Sequence, residues 1–134
     1  MKYSLDTSVV IRLLTGQPDE QLAATEDFLD NARRSKARVF VSDLVVAESY
    51  HALQHHFGIS KSDALWGLSE LFSTGEILPS GQALKILMQP GLATAKPGFV
   101  DRLIHADSIH AGCHWVTFEK AAAKLPEVAV LKAK

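Results

Sequence analysis

Cysteine is almost absent from this chain. Cys113 stands alone, so no internal disulfide can form, and a reducing compartment such as the cytoplasm is expected. Lying between Gly112 and a strand, it is expected to be a small buried apolar residue. Long apolar runs are missing too. None approaches the roughly 20 residues that span a bilayer, and Asp6 arrives too early for the apolar core of a signal peptide. The net charge of −1 lacks the basic excess usual for duplex-binding proteins. Nucleic acid is not thereby excluded, because an acidic metal site cancels positive charge elsewhere. No Gly-rich phosphate loop follows the first strand, and no serine sits in a Gly-x-Ser-x-Gly elbow. What is present is ordinary: an apolar fraction of 47% and 22% charged residues, enough over 134 residues for one globular domain with a real core. No repeat or linker divides residues 1–134.

Strand and helix patterns alternate along the chain. Tyr3 to Leu5 reads as a strand, followed by helices through Val9–Leu14 and from Leu22 to about Arg34. The β-branched and aromatic run Arg38-Val39-Phe40-Val41-Ser42 is a second strand. Ser42 or Asp43 then caps a helix that Gly58 closes, and Ser60 begins another. A brief strand at 76–79 and a helix from Gln82 to about Met88 lead into a Pro- and Gly-rich loop from Gln89 to Gly98. A helix over 100–110, a strand over 114–118, a short helix over 120–125 and a last strand over 128–131 complete the chain. That alternation predicts an α/β fold with a mainly parallel central sheet covered on both faces.

Four carboxylates stand out: Asp6, Glu48, Asp101 and Glu119, each in or beside an apolar run where an unpaired charge is costly. None has an obvious local partner, and a shared cation would neutralise them together. Asp6 follows a strand and opens a helix, where an N-cap is the simplest role, supported by Thr7 and Ser8. Asp6 and Glu119 also occupy strand carboxyl ends, where ligands of open α/β sheets collect. Glu48 has Leu44, Val45, His51 and Ala52 at i±3 and i±4, so it lacks a helical Lys or Arg partner and is expected on a core-facing stripe. Asp101 lies in the first turn of its helix, where any acid gains from the dipole. Asp107 turns away from that face and reads as structural or supporting. Glu119 precedes Lys120, with Thr117 placed two residues earlier to orient a water or ligand.

Other chemistries fit less well. His51 and His55 have i, i+4 spacing, but without a His-Glu-x-x-His pattern or cysteine cluster they read as a solvated helix end. A phosphoacceptor signalling domain needs an acidic pair near its first strand, and only Asp6 is there.

Taken in order, strand-Asp6-Thr7-Ser8, helical Glu48, Gly98-Phe99-Val100-Asp101 and strand-Thr117-Phe118-Glu119-Lys120 resemble the PIN-domain family. Within it the chain is similar to the compact VapC-type toxins of toxin–antitoxin pairs, over nearly its whole length. The resemblance implies a three-layer α/β/α fold, an acidic pocket binding Mg²⁺ or Mn²⁺, and hydrolysis of RNA phosphodiesters. It also implies a homodimer captured by a small antitoxin protein. Asp6, Glu48 and Asp101 match the family's acidic positions, with Asp6 and Asp101 expected to hold metal. Thr7, Ser8 and Thr117 match its supporting hydroxyls. Glu119 departs, since the family usually has Asp there, and the extra methylene displaces the carboxylate. Arg12, Arg102 and Lys120, close to the acids in sequence, are the expected RNA-binding cations. The competing reading is a catalytically silent module of the same fold that binds RNA or a partner protein.

Overall fold

The computed structural model describes residues 1–134. Five strands and six helices follow one another as β1 (Lys2–Ser4), α1 (Thr7–Thr15), α2 (Asp19–Arg34), β2 (Arg38–Val41), α3 (Asp43–His55), α4 (Lys61–Ser73), β3 (Ile77–Pro79), α5 (Ala83–Leu87), α6 (Phe99–His110), β4 (Trp115–Thr117) and β5 (Val128–Val130). Two 3-10 turns, Leu92–Thr94 and Lys120–Lys124, complete the order. Every strand pair is parallel, as alternation with helices requires.

The parallel strands fall into two sheets. β1, β2 and β3 form one, with Tyr3 opposite Val39 and Val39 opposite Ile77. β4 and β5 form the other, with Trp115 opposite Val128. The division leaves β1 with one hydrogen-bonded neighbour, and all three of its residues are exposed.

Local chemistry sets the helix boundaries. Ser42 Oγ accepts the Val45 N–H at 3.3 Å to start α3, and Ser60 Oγ accepts the Asp63 N–H at 3.1 Å to start α4. Between them Gly58 takes φ 63°, a left-handed conformation that glycine adopts without a Cβ clash. Asp43 reaches across to α5, where its carboxylate accepts the N–H groups of Gln82 and Ala83, each at 3.0 Å. A Cβ on Gly81 would stand 2.5 Å from Asp43 Oδ2, so a bare backbone is needed there.

One apolar cluster of 22 buried residues holds the body together, running from Leu5 to Leu103 through Val41, Val46, Leu53 and Leu68. Tyr50 and Phe99 lock α3 to α6 edge to face, with ring centroids 5.0 Å apart. Burial pushes the Tyr50 phenol above its ordinary value, so it stays neutral and packs as an aromatic.

Two expectations are corrected. Cys113 is exposed, because the turn after α6 lies outside the cluster. Glu48 is also exposed: α3 buries Val46, Ser49, Tyr50 and Leu53, which sends Leu44, Glu48, His51 and His55 to the opposite face. No helix is long and apolar enough to cross a membrane.

Candidate active site

Asp6 follows the β1 ladder directly, since the Leu5 N–H still bonds to Phe40 O at 2.9 Å. It occupies the N-cap position of α1 in extended backbone but makes no side-chain capping bond. Its carboxylate instead accepts the Ser8 hydroxyl at 3.0 Å. That bond, with lesser help from the Thr7 and Ser8 backbone N–H groups facing it, holds the exposed carboxyl below its ordinary pKa. Beside it, the buried Thr7 Oγ1 has no hydrogen-bond partner. That leaves an unsatisfied polar atom packed next to the candidate site.

Asp101 projects from the first turn of α6, and Glu119 begins the 3-10 turn after β4. The two line one hollow of about 570 Å³, together with Lys61, Lys96, Thr94 and Gly98. Thr117 sets up Glu119: its hydroxyl accepts the Glu119 N–H at 3.0 Å. Glu119 Oε1 accepts the Ala121 N–H at 3.1 Å, which engages part of its carboxylate as a cap.

Asp6 is not among the residues of that hollow. It lines a separate, more apolar groove with Tyr3, Val9 and Phe28. Glu48 stands on the exposed face of α3, one turn before His51. No three His, Cys, Asp or Glu side chains gather closely enough to hold a metal ion. The donor chemistry nevertheless suits Mg²⁺ or Mn²⁺. The set is all oxygen, and Mg²⁺ is commonly held by one or two carboxylates, with waters and phosphate filling the rest. Neither Asp101 nor Glu119 is neutralised, since the ion pairs of the chain are those of Arg33 with Asp30 and Glu76.

The cations around the hollow are Lys61 and Lys96; Lys96 precedes Asp101 on the same stretch of chain, whereas Lys61 is distant in sequence from all four candidate acids. The three expected cations sit otherwise. Arg12 bonds to Gln21, and Arg102 donates to Pro97 O at 2.8 Å and to Gln89 Oε1 at 3.3 Å. Lys120 lines a separate hollow with Phe118 and Leu131. Lys61 was the residue to find. No local pattern marks it, because Asp63 in the same first turn already offsets the cost of a lysine at a helix start.

Compared with known protein families, the chain matches the PIN domain over residues 3–128. The chain belongs to the PIN domain family. Neither the curated proteins nor the solved structures yielded a match. PIN domains are generally nucleases, so this PIN domain is assigned to hydrolases acting on nucleic acids. Such nucleases commonly use divalent metal ions, and the acids of this PIN domain are oxygen donors of the kind those ions prefer.

Proposed function

We propose that this PIN domain is a Mg²⁺- or Mn²⁺-dependent endoribonuclease, the VapC-type toxin of a toxin–antitoxin pair. One observation carries the catalytic half of this reading. Asp101 and Glu119, from different elements and without cation partners, line one hollow whose rim carries Lys61 and Lys96. Two bare carboxylates repel a phosphodiester, whereas two carboxylates holding a cation attract one. In this assignment Asp101 is the principal ligand of the cation, Glu119 supports it with the carboxylate oxygen its capping bond leaves free, and Asp6 and Glu48 complete the acidic set. Ser8 and Thr7 keep Asp6 ionised and oriented, and Thr117 fixes the Glu119 backbone. A bound divalent cation supplies Lewis-acid polarisation of the phosphoryl oxygen and a lower pKa for the attacking water. Lys61 and Lys96 contribute the charge that draws in the RNA backbone.

The toxin assignment rests on the family likeness, which also implies a small antitoxin and a homodimer. Exposed apolar side chains such as Leu44 (83% exposed) and Trp66 (67%) offer surface of the kind a protein partner covers. The free, exposed thiol of Cys113 accords with a cytoplasmic setting, where it stays reduced.

The silent binding module remains a second reading, favoured by the capping bond that engages Glu119. One assay separates the two. Purified protein is incubated with single-stranded and structured RNA in Mg²⁺ or Mn²⁺, with and without EDTA. Cleavage that EDTA abolishes supports the nuclease. Binding without cleavage, in the presence of either metal, supports the silent module.

A further inference from the structure

Asp101 lines a second hollow besides the one it shares with Glu119. This smaller hollow, about 280 Å³, is bounded by His51, His55, Lys61, Tyr50 and Gly98. Lys61, Gly98 and Asp101 border both hollows, so the two adjoin across these residues as one trough. The His51 and His55 rings lie nearly parallel, 19° apart with centroids separated by 5.9 Å, and both residues are exposed. They continue the outward face of α3 that includes Glu48, and the Tyr50–Phe99 contact on its buried side docks α3 against the start of α6. Lys61 borders the hollow with the rings and Asp101, and no carboxylate is paired to it.

From this geometry we infer that the trough is a subsite for one unpaired nucleotide flanking the scissile phosphate. The His51–His55 rings stack its base and Lys61 contacts its phosphate. The inference deepens the nuclease reading and rests on it, because it commits the substrate to single-stranded nucleic acid. Every base has a π-face, so a heteroaromatic platform binds without demanding a sequence, whereas a base inside a duplex cannot reach it. A lysine on a flexible stem suits a phosphate as a point charge. The negative charge of Asp101 within the trough is offset when the cation of the nuclease reading is bound.

The test uses the full chain with Mg²⁺ and a single-stranded 2′-O-methyl oligoribonucleotide carrying 2-aminopurine, which resists hydrolysis and reports stacking by fluorescence quenching. The double variant His51→Ala, His55→Ala should bind about tenfold more weakly, the scale of one lost stack, and lose the quenching. His51→Phe, His55→Phe should retain binding within about twofold, because a ring is preserved. Lys61→Ala should lower the slope of log affinity against log salt by about 0.7, one phosphate contact on a single strand. Affinity and quenching unchanged in the alanine variant would overturn the subsite. So would a phenylalanine variant as weak as the alanine one, which would assign the histidines to charge rather than stacking. Tighter binding of a duplex than of the single strand also overturns it. Hydrolysis of unmodified RNA is measured alongside. Wild-type cleavage with normal rates in all three variants removes the subsite and leaves the nuclease standing, whereas no binding and no cleavage by wild type removes both.

Discussion

The body built on β1, β2 and β3 and the small C-terminal sheet of β4 and β5 are held by very different means. The body carries the whole 22-residue apolar cluster, with Val10, Val41, Val46, Leu53 and Leu68 essentially inaccessible. Beyond Leu103 the one buried residue is Ala122, and Val116 and Phe118 of the small sheet and its exit are exposed. Its attachment to α6 runs through His105, whose ring packs on Trp115 with centroids 5.7 Å apart and whose Nε2 lies 2.7 Å from Pro126 O. Asp6, Glu48 and Asp101 therefore hang on a packed scaffold, whereas Glu119 belongs to a unit with little apolar area to fix it. In free-energy terms, the acids on the body are positioned by burial and Glu119 by a few polar contacts. Local stability should follow the same division.

The widest separation between the two regions is expected in catalysis. Asp101→Asn should lower RNA cleavage by about a thousandfold, the scale of losing several kcal/mol of metal-derived charge stabilisation. Glu119→Gln should cost only about tenfold, because its carboxylate already serves partly as a cap and glutamine keeps an oxygen acceptor for Ala121 N–H. Single-turnover rates for the two variants decide this, and equal losses would put Glu119 on the same footing as Asp101.

Stability comes next in size. Leu68→Ala removes a side chain with no exposed surface and should destabilise the whole fold by about 3 kcal/mol in urea unfolding. His105→Ala should cost only about 1 kcal/mol, the net worth of one hydrogen bond, yet speed amide exchange selectively in β4 and β5. Exchange that rises uniformly through the body would erase the distinction between the two regions.

Much of the body was readable from sequence because its signals are local. Ser42 and Ser60 cap the helices they precede, Gly58 closes the first of them, and the β-branched run Arg38–Val41 forms the central strand. The division of the sheet was not readable, since the pairing of β1 with its neighbours depends on long-range packing. Glu48 leaves its expected core-facing stripe because the apolar neighbours at i±3 and i±4 include Leu44, which is itself exposed. The surroundings of Asp101 were missed for a related reason. Lys61, His51 and His55 reach Asp101 only through the docking of α3 on α6 at Tyr50 and Phe99, which no local pattern announces.

The smallest effect concerns Asp6. Ser8→Ala removes the main influence lowering its carboxyl pKa and should raise it toward the ordinary value, as read by side-chain NMR titration. The folded value lies below the unfolded one, so ionised Asp6 favours the fold above the unfolded carboxylate pKa. That contribution fades as pH falls through the lowered folded value. In Ser8→Ala this acid limb of the stability profile should flatten. An unchanged titration would mean that Ser8 does not govern Asp6.

The central claim is that acids from both regions hold one cation. Mn²⁺ titrated into isotope-labelled protein reports this directly, through paramagnetic broadening of backbone amide signals. The account predicts broadening centred on residues 98–101 and 119–121, extending to residues 6–8, and lost from all of them in Asp101→Asn. Broadening confined to the His51–His55 face, or undiminished in Asp101→Asn, would contradict it.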